Sequence, residues 1–252
     1  MPFGRFASAL LALLSVLAIA PTAQAQLRIK ATEGQFAGSH LVNSTLRKQL
    51  KQFFSGQDIR FYTHPTNADK NSGQEDLPNT MLNARRTLLA MQQSDVFWFS
   101  GHSGQVPGQP VQVLQVADES RDASGKALLS ALEVRDALRG RGGPRLVVIN
   151  GCITTNLYDG ISTENRLSTA FGINSQSKGR AYLGWDLEIV GKHADDYILT
   201  LLSLWTKPDQ TNRYLTLAEA RERTPEANNR KVTIIGDGSL RYPDLKSPPA
   251  RP

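Results

Sequence analysis

The chain has 252 residues, a formal net charge of +6 at pH 7, four histidines and a single cysteine. The positive charge is modest and no Lys/Arg run is interleaved with aromatics, which argues against a nucleic-acid surface. So few histidines and cysteines give no metal-ligand spacing, and no metal or cofactor is expected.

The first residues read as a secretory leader. Arg5 supplies positive charge, residues 9–20 an apolar segment, and Ala23-Gln24-Ala25 a small-x-small cleavage pattern. The apolar segment falls short of the roughly 20 residues of a membrane span. The expectation is cleavage after Ala25, a periplasmic or secreted bacterial product, and no stable membrane insertion once the leader is gone. Residues 26–252 then form one domain, long enough for a full core. Exported proteins commonly pair their cysteines, so a lone Cys152 is a buried small hydrophobe, an intermolecular bridge or a working thiol.

Residues 27–31 alternate with period two and predict a first strand. Val42, Leu46, Leu50 and Phe53 lie on one stripe of a helix over 41–54. A short second strand is expected at 58–62, then a polar loop over 64–76. Pro78 opens a helix to about residue 91, with Met81, Ala84, Leu88 and Met91 on one face. Residues 96–99 form the third strand; apolar side chains at successive positions imply burial on both faces, as in the centre of a parallel sheet.

Beyond Ser100-Gly101-His102-Ser103-Gly104, residues 111–116 predict an edge strand or hairpin. Ser130 and Glu133 make a capping-box pattern opening a helix that Gly140 ends. The fourth strand, 145–149, is again apolar on consecutive positions and runs into Asn150-Gly151-Cys152. A helix over 165–173, a fifth strand at 181–185 and an amphipathic helix carrying Ala194, Tyr197, Ile198, Leu201 and Trp205 follow. A short helix at 216–223 and a last strand at 232–235 complete the domain. The Pro-rich tail, 243–252, is expected to be mobile.

Strands alternating with helices predict an α/β fold, a three-layer αβα sandwich around a mainly parallel sheet. Ligands of such sheets bind outside the carboxyl ends of the strands, which is where His102 and Cys152 fall. Sequential strands are usually neighbours, so the two residues can meet there. An imidazole in reach of a thiol takes its proton and generates a nucleophilic thiolate; the imidazolium then protonates a leaving amine. Gly101, Gly104 and Gly151 keep main-chain amides open to a substrate oxyanion. The best donors are the amide of Cys152 and one in Ser103-Gly104.

Phe97-Trp98-Phe99-Ser100-Gly101-His102-Ser103-Gly104 and Leu146-Val147-Val148-Ile149-Asn150-Gly151-Cys152 resemble the two blocks of caspase-like cysteine peptidases, the superfamily of caspases, metacaspases, gingipains, separases and CHAT-domain proteins. That resemblance implies a caspase-like sheet with a catalytic histidine after the third core strand and a cysteine after the fourth. The caspase spacing of about 50 residues is also the spacing here. Gly236-Asp237-Gly238-Ser239-Leu240 is similar to a late segment of gingipain-like and CHAT-like members.

Two positions depart from the pattern. Ser103 follows the histidine where members usually have glycine, and Gly151 precedes the cysteine where alanine is common. The caspase cysteine pentapeptide is absent, so the resemblance is to the wider superfamily. It implies an exported cysteine endopeptidase: Cys152 as nucleophile, His102 as base and acid, Ser103, Gly104 and Gly151 around the oxyanion. Trp185 and Asp186 are candidate substrate-binding residues, the acid suiting an Arg or Lys side chain. The implied partner is a peptide or protein substrate. The alternatives are an inactive caspase-like binding module and a different thiol acyl-transfer enzyme on the same fold.

Overall fold

The computed structural model describes residues 26–34, 44–62, 84–105, 109–116, 128–155 and 161–247. The expected leader, 1–25, lies outside them. In chain order the elements are β1 (Arg28–Glu33), α1 (Ser44–Phe53), β2 (Asp58–Tyr62), α2 (Ala84–Gln92), β3 (Val96–Ser100), β4 (Ser103–Gln105), β5 (Gln112–Gln115), β6 (Leu128–Ser130), α3 (Ala131–Leu138), β7 (Leu146–Asn150), α4 (Leu167–Ala170), β8 (Ala181–Gly184), α5 (Gly191–Trp205), α6 (Leu217–Arg223) and β9 (Thr233–Gly236).

Six strands form one sheet in the order β2-β1-β3-β7-β8-β9. The first five run parallel; β9 joins β8 antiparallel. β3 and β7 lie at its centre, and every residue of both is buried. Their side chains divide by parity. Val96 and Trp98 join Leu146 and Val148 in one core with Leu50 of α1, Tyr197, Leu201 and Trp205 of α5 and Leu217 of α6. Phe97 and Phe99 join Val147 and Ile149 in a second core with Met91 of α2, Val134 of α3 and Leu167 of α4. The consecutive apolar runs are thus the signature of strands packed on both faces.

A second, three-stranded antiparallel sheet, β4-β5-β6, branches off where β3 ends. Its first strand, β4, begins directly after His102. The helix ends follow the capping signals. The amide of Glu133 donates to Ser130 Oγ (3.3 Å) and the amide of Ser130 to Glu133 Oε2 (3.0 Å). Thr216 and Glu219 repeat the box at α6. Gly140, with φ of +71°, supplies the left-handed turn after α3.

Three expectations shift. The helix expected from Pro78 is described only from Ala84, since 78–83 lie outside the described residues. The helix at 165–173 is a single turn, α4, after a 3-10 turn at Thr163–Asn165. The tail is packed as far as Ser247 rather than mobile from 243. Tyr242 and Leu245 are buried, Tyr242 packs against Phe54, Trp205 and Tyr214, and Arg145 Nη1 donates to the carbonyls of Leu245 (3.1 Å) and Ser247 (2.6 Å). Aromatic burial outweighs the composition of that segment. Among the described residues no helix is long and apolar enough to cross a membrane.

Candidate functional site

The pairing of β3 with β7 ends at Ser100 opposite Asn150. One further rung, from the Gly101 amide to the Asn150 carbonyl (3.3 Å), closes it. Each chain then leaves the sheet, and two residues beyond the last pair stand His102 and Cys152. His102 is exposed, and its carbonyl accepts from the amide of Gln115, which ties it to the small sheet (2.9 Å). Cys152 is half-buried, and its thiol donates to the carbonyl of Ile189 (3.7 Å).

The two loops are pinned to each other beside these residues. Ser103 Oγ donates to the carbonyl of Cys152 at 2.6 Å. A Cβ at position 151 would lie 2.3 Å from Ser103 Oγ and 2.5 Å from the carbonyl oxygen of Gly101. The two departures from the family pattern therefore sit against each other: Ser103 occupies the space that a methyl at 151 would need, and Gly151 leaves that space open. Gly151 is buried and acts as a spacer for this approach. Gly104 lies half-buried in β4 with nothing within 4 Å of where its Cβ would be. Of the three glycines expected at the oxyanion, only Gly101, through its bond to Asn150, and Gly151 are held by close approach.

After Cys152 the chain makes a turn that a β-branched residue resists. Ile153 has φ of +54°, a conformation costing about 1–3 kcal/mol. The surroundings hold it there. Its amide donates to the carbonyl of Leu187 (3.3 Å), and its carbonyl accepts from Gln112 Nε2 (3.1 Å). The amides of Thr154 and Thr155 both reach the carbonyl of Trp185, at 2.6 and 3.0 Å, and Tyr182 Oη donates to the carbonyl of Thr154 (3.0 Å). The turn after β7 and the loop after β8 are one hydrogen-bonded unit, with the thiol at its edge.

Trp185 belongs to that unit from beneath. It is 1 % exposed, stacks edge-on against Tyr197, and donates from Nε1 to Asn150 Oδ1 (3.0 Å). Its side chain packs beneath the site, where the sequence reading expects a substrate-binding residue. Asp186 is exposed at the start of the same loop. Leu187 and Val190, 42 % and 60 % exposed, give that loop an apolar surface that sequence reading did not single out.

Two polar residues under the site were also missed. Asn150, the last residue of β7, donates from Nδ2 to Asp195 Oδ1 of α5, and both are buried. Burial, with the charges of Asp196 and Glu33, pushes the Asp195 carboxyl up to about 7, against the lowering effect of the Asn150 bond. The helical phase carries the signal: Asp195 shares the buried face of α5 with Ile198 and Leu202.

Two grooves on the described surface lie elsewhere. One of about 510 Å³ runs between α1 and α5, and one of about 840 Å³ borders β2. Neither includes His102 or Cys152. Among the described residues no group of three His, Cys, Asp or Glu is placed to hold a metal ion. No family model matches the chain, and no curated protein matches it by sequence.

Proposed function

We propose that the protein is an exported, caspase-like cysteine endopeptidase, a three-layer αβα sandwich that cuts peptide bonds at the rim of its main sheet with Cys152 as nucleophile and His102 as base and acid. One observation carries the reading. The only cysteine and a glycine-flanked histidine leave the carboxyl ends of two adjacent, fully buried parallel strands, the third and fourth of the main sheet in chain order. The bond from Ser103 to Cys152 joins the two loops.

In the proposed reaction His102 takes the thiol proton. The sulfur bonds to the carbonyl carbon of the substrate, and the resulting oxyanion is met by main-chain amides at Cys152 and in Ser103-Gly104. The C–N bond then breaks, and the imidazolium returns its proton to the leaving amine. Water, deprotonated by the same histidine, releases the acyl group and restores the thiol. Asp186, Leu187 and Val190 border the thiol side of the site and would contact the substrate chain; Asp186 suits a basic side chain.

A second reading has an observation of its own. The thiol donates to the Ile189 carbonyl, a bond that an inactive binding module would share. Incubating the protein from residue 26 onward with a peptide library separates the two. Cleavage that disappears in Cys152→Ala supports the peptidase. Peptides retained intact by wild type and Cys152→Ala alike support the binding module.

A further inference from the structure

The turn after β7 is gripped from two sides by different groups. Its amides, from Ile153, Thr154 and Thr155, donate to the carbonyls of Leu187 and Trp185 in the loop after β8. The carbonyls at its start are held by the small sheet. That of Cys152 accepts from Ser103 Oγ of β4 (2.6 Å), and that of Ile153 accepts from Gln112 Nε2 of β5 (3.1 Å). Gln112 is the unusual partner. It is 1 % exposed, with buried Val111, Val113 and Leu114 beside it in the chain. A carboxamide is costly to bury unless its polar atoms are bonded. Both ends of this one are, because Oε1 accepts from the amide of Leu167 at the start of α4 (2.8 Å).

The same short strand also holds the other half of the site. The amide of Gln115 donates to the carbonyl of His102 (2.9 Å), and Leu114 is paired with Ser103. β5 thus reaches the histidine loop through its main chain and the cysteine turn through the side chain of Gln112. What Gln112 holds is the strained residue of that turn: Ile153, β-branched, at φ of +54°. Cys152 directly precedes it, so the sulfur is presented by a backbone that relaxes once the Ile153 carbonyl is released.

We propose that Gln112 is a positioning residue for Cys152: by holding the Ile153 carbonyl it keeps the left-handed turn that presents the thiol to His102. The inference rests on the peptidase reading and adds to it a residue outside the dyad. Gln112 touches no reacting atom. A side chain that only anchored α4 would bind Leu167 and leave the reactivity of the thiol alone. This one also has its amide nitrogen on the residue that follows the nucleophile.

The test is the rate of iodoacetamide labelling of Cys152 near neutral pH in folded protein, for wild type, Gln112→Met, and Gln112→Met combined with Ile153→Asn. Methionine fills a similar volume without bonding to either partner, and asparagine tolerates the left-handed region. Gln112→Met should label about tenfold more slowly, and the asparagine should recover most of that loss. Equal or faster labelling in Gln112→Met overturns the inference. So does a loss that the asparagine leaves in place, since a side chain that only anchored α4 would not answer to strain at position 153. Should Gln112→Met not fold, Gln112→Asn, whose shorter amide falls short of Ile153, is read in the same way. His102→Ala checks the dyad separately. If it leaves wild-type labelling unchanged, the nucleophile reading fails, and the carbon NMR signals of Cys152, the only cysteine in the chain, decide this inference. They should shift in Gln112→Met and return in the double variant; signals that stay in place overturn it.

Discussion

Asp95 and Asp195 stand at opposite ends of the same sheet and are treated in opposite ways. Asp95 precedes β3 at its amino end. Burial alone would raise its carboxyl, yet Arg28 holds it below its ordinary value with its amide to Oδ2 (2.8 Å), Nε to Oδ2 (3.1 Å) and Nη2 to Oδ1 (3.0 Å). That acid is fully matched and ties β1 to β3. Asp195, beneath the carboxyl end of β7, accepts from the Asn150 amide, and burial with the charges of Asp196 and Glu33 pushes it the other way. The amino end of the sheet is built for stability. The carboxyl end, with Ile153 in a left-handed turn, carries features that oppose stability.

The largest expected effect is on stability against pH. A carboxyl raised in the folded state stabilises the fold below its unfolded value near 3.8, and that contribution is lost as pH rises towards about 7. Asp195→Asn should therefore match wild type near pH 4 and become more stable than it through neutrality. The gain is up to about 4 kcal/mol and flat above about pH 7, read by denaturant unfolding at a series of pH values. A constant offset between the two proteins would place Asp195 in the same class as Asp95.

Asn150→Leu removes the link itself. It leaves the Trp185 indole and the Asp195 carboxyl without their present bonds and should destabilise the protein by about 3 kcal/mol. A neutral result would mean that the trio holds nothing in place.

The glycines sharpen the contrast further. Gly151→Ala forces a methyl against Ser103 Oγ and the Gly101 carbonyl and should cost about 1–3 kcal/mol, with slower Cys152 labelling. Gly104→Ala meets open space and should stay within about 0.5 kcal/mol of wild type. Equal losses at the two positions would break the account of the rim.

The smallest effect belongs to the amino end. Arg28 is more than half exposed, so Arg28→Met should cost no more than about 1 kcal/mol in thermal or denaturant unfolding. Because the Asp95 carboxyl is held low, that loss is present above its ordinary value of 3.8 and shrinks as pH falls through the lower, folded value.

Much of the frame was legible in the residues. Two all-apolar runs, 96–99 and 146–149, announced strands packed on both faces, and Ser130 with Glu133 announced the start of α3. The backbone proximity of the His102 and Cys152 loops followed from strand order alone. The rest depends on contacts between distant segments. Ser103 reads as an irregularity in a glycine loop until its hydroxyl is seen on the Cys152 carbonyl. Trp185 beside Asp186 reads as a pocket wall until its indole is found under Asn150. Asp195 and Asp196 are identical in type, and only the phase of α5 separates the buried acid from its exposed neighbour. The direction of the last strand could not be read at all, since an apolar run has no polarity; β9 is antiparallel.

The central claim is that the two strand ends form a working dyad, and the pH dependence of Cys152 alkylation in wild type and His102→Ala tests it most directly. The account predicts labelling that is rapid near neutral pH in wild type and markedly slower in the variant. Slow labelling that the histidine substitution leaves unchanged would contradict it.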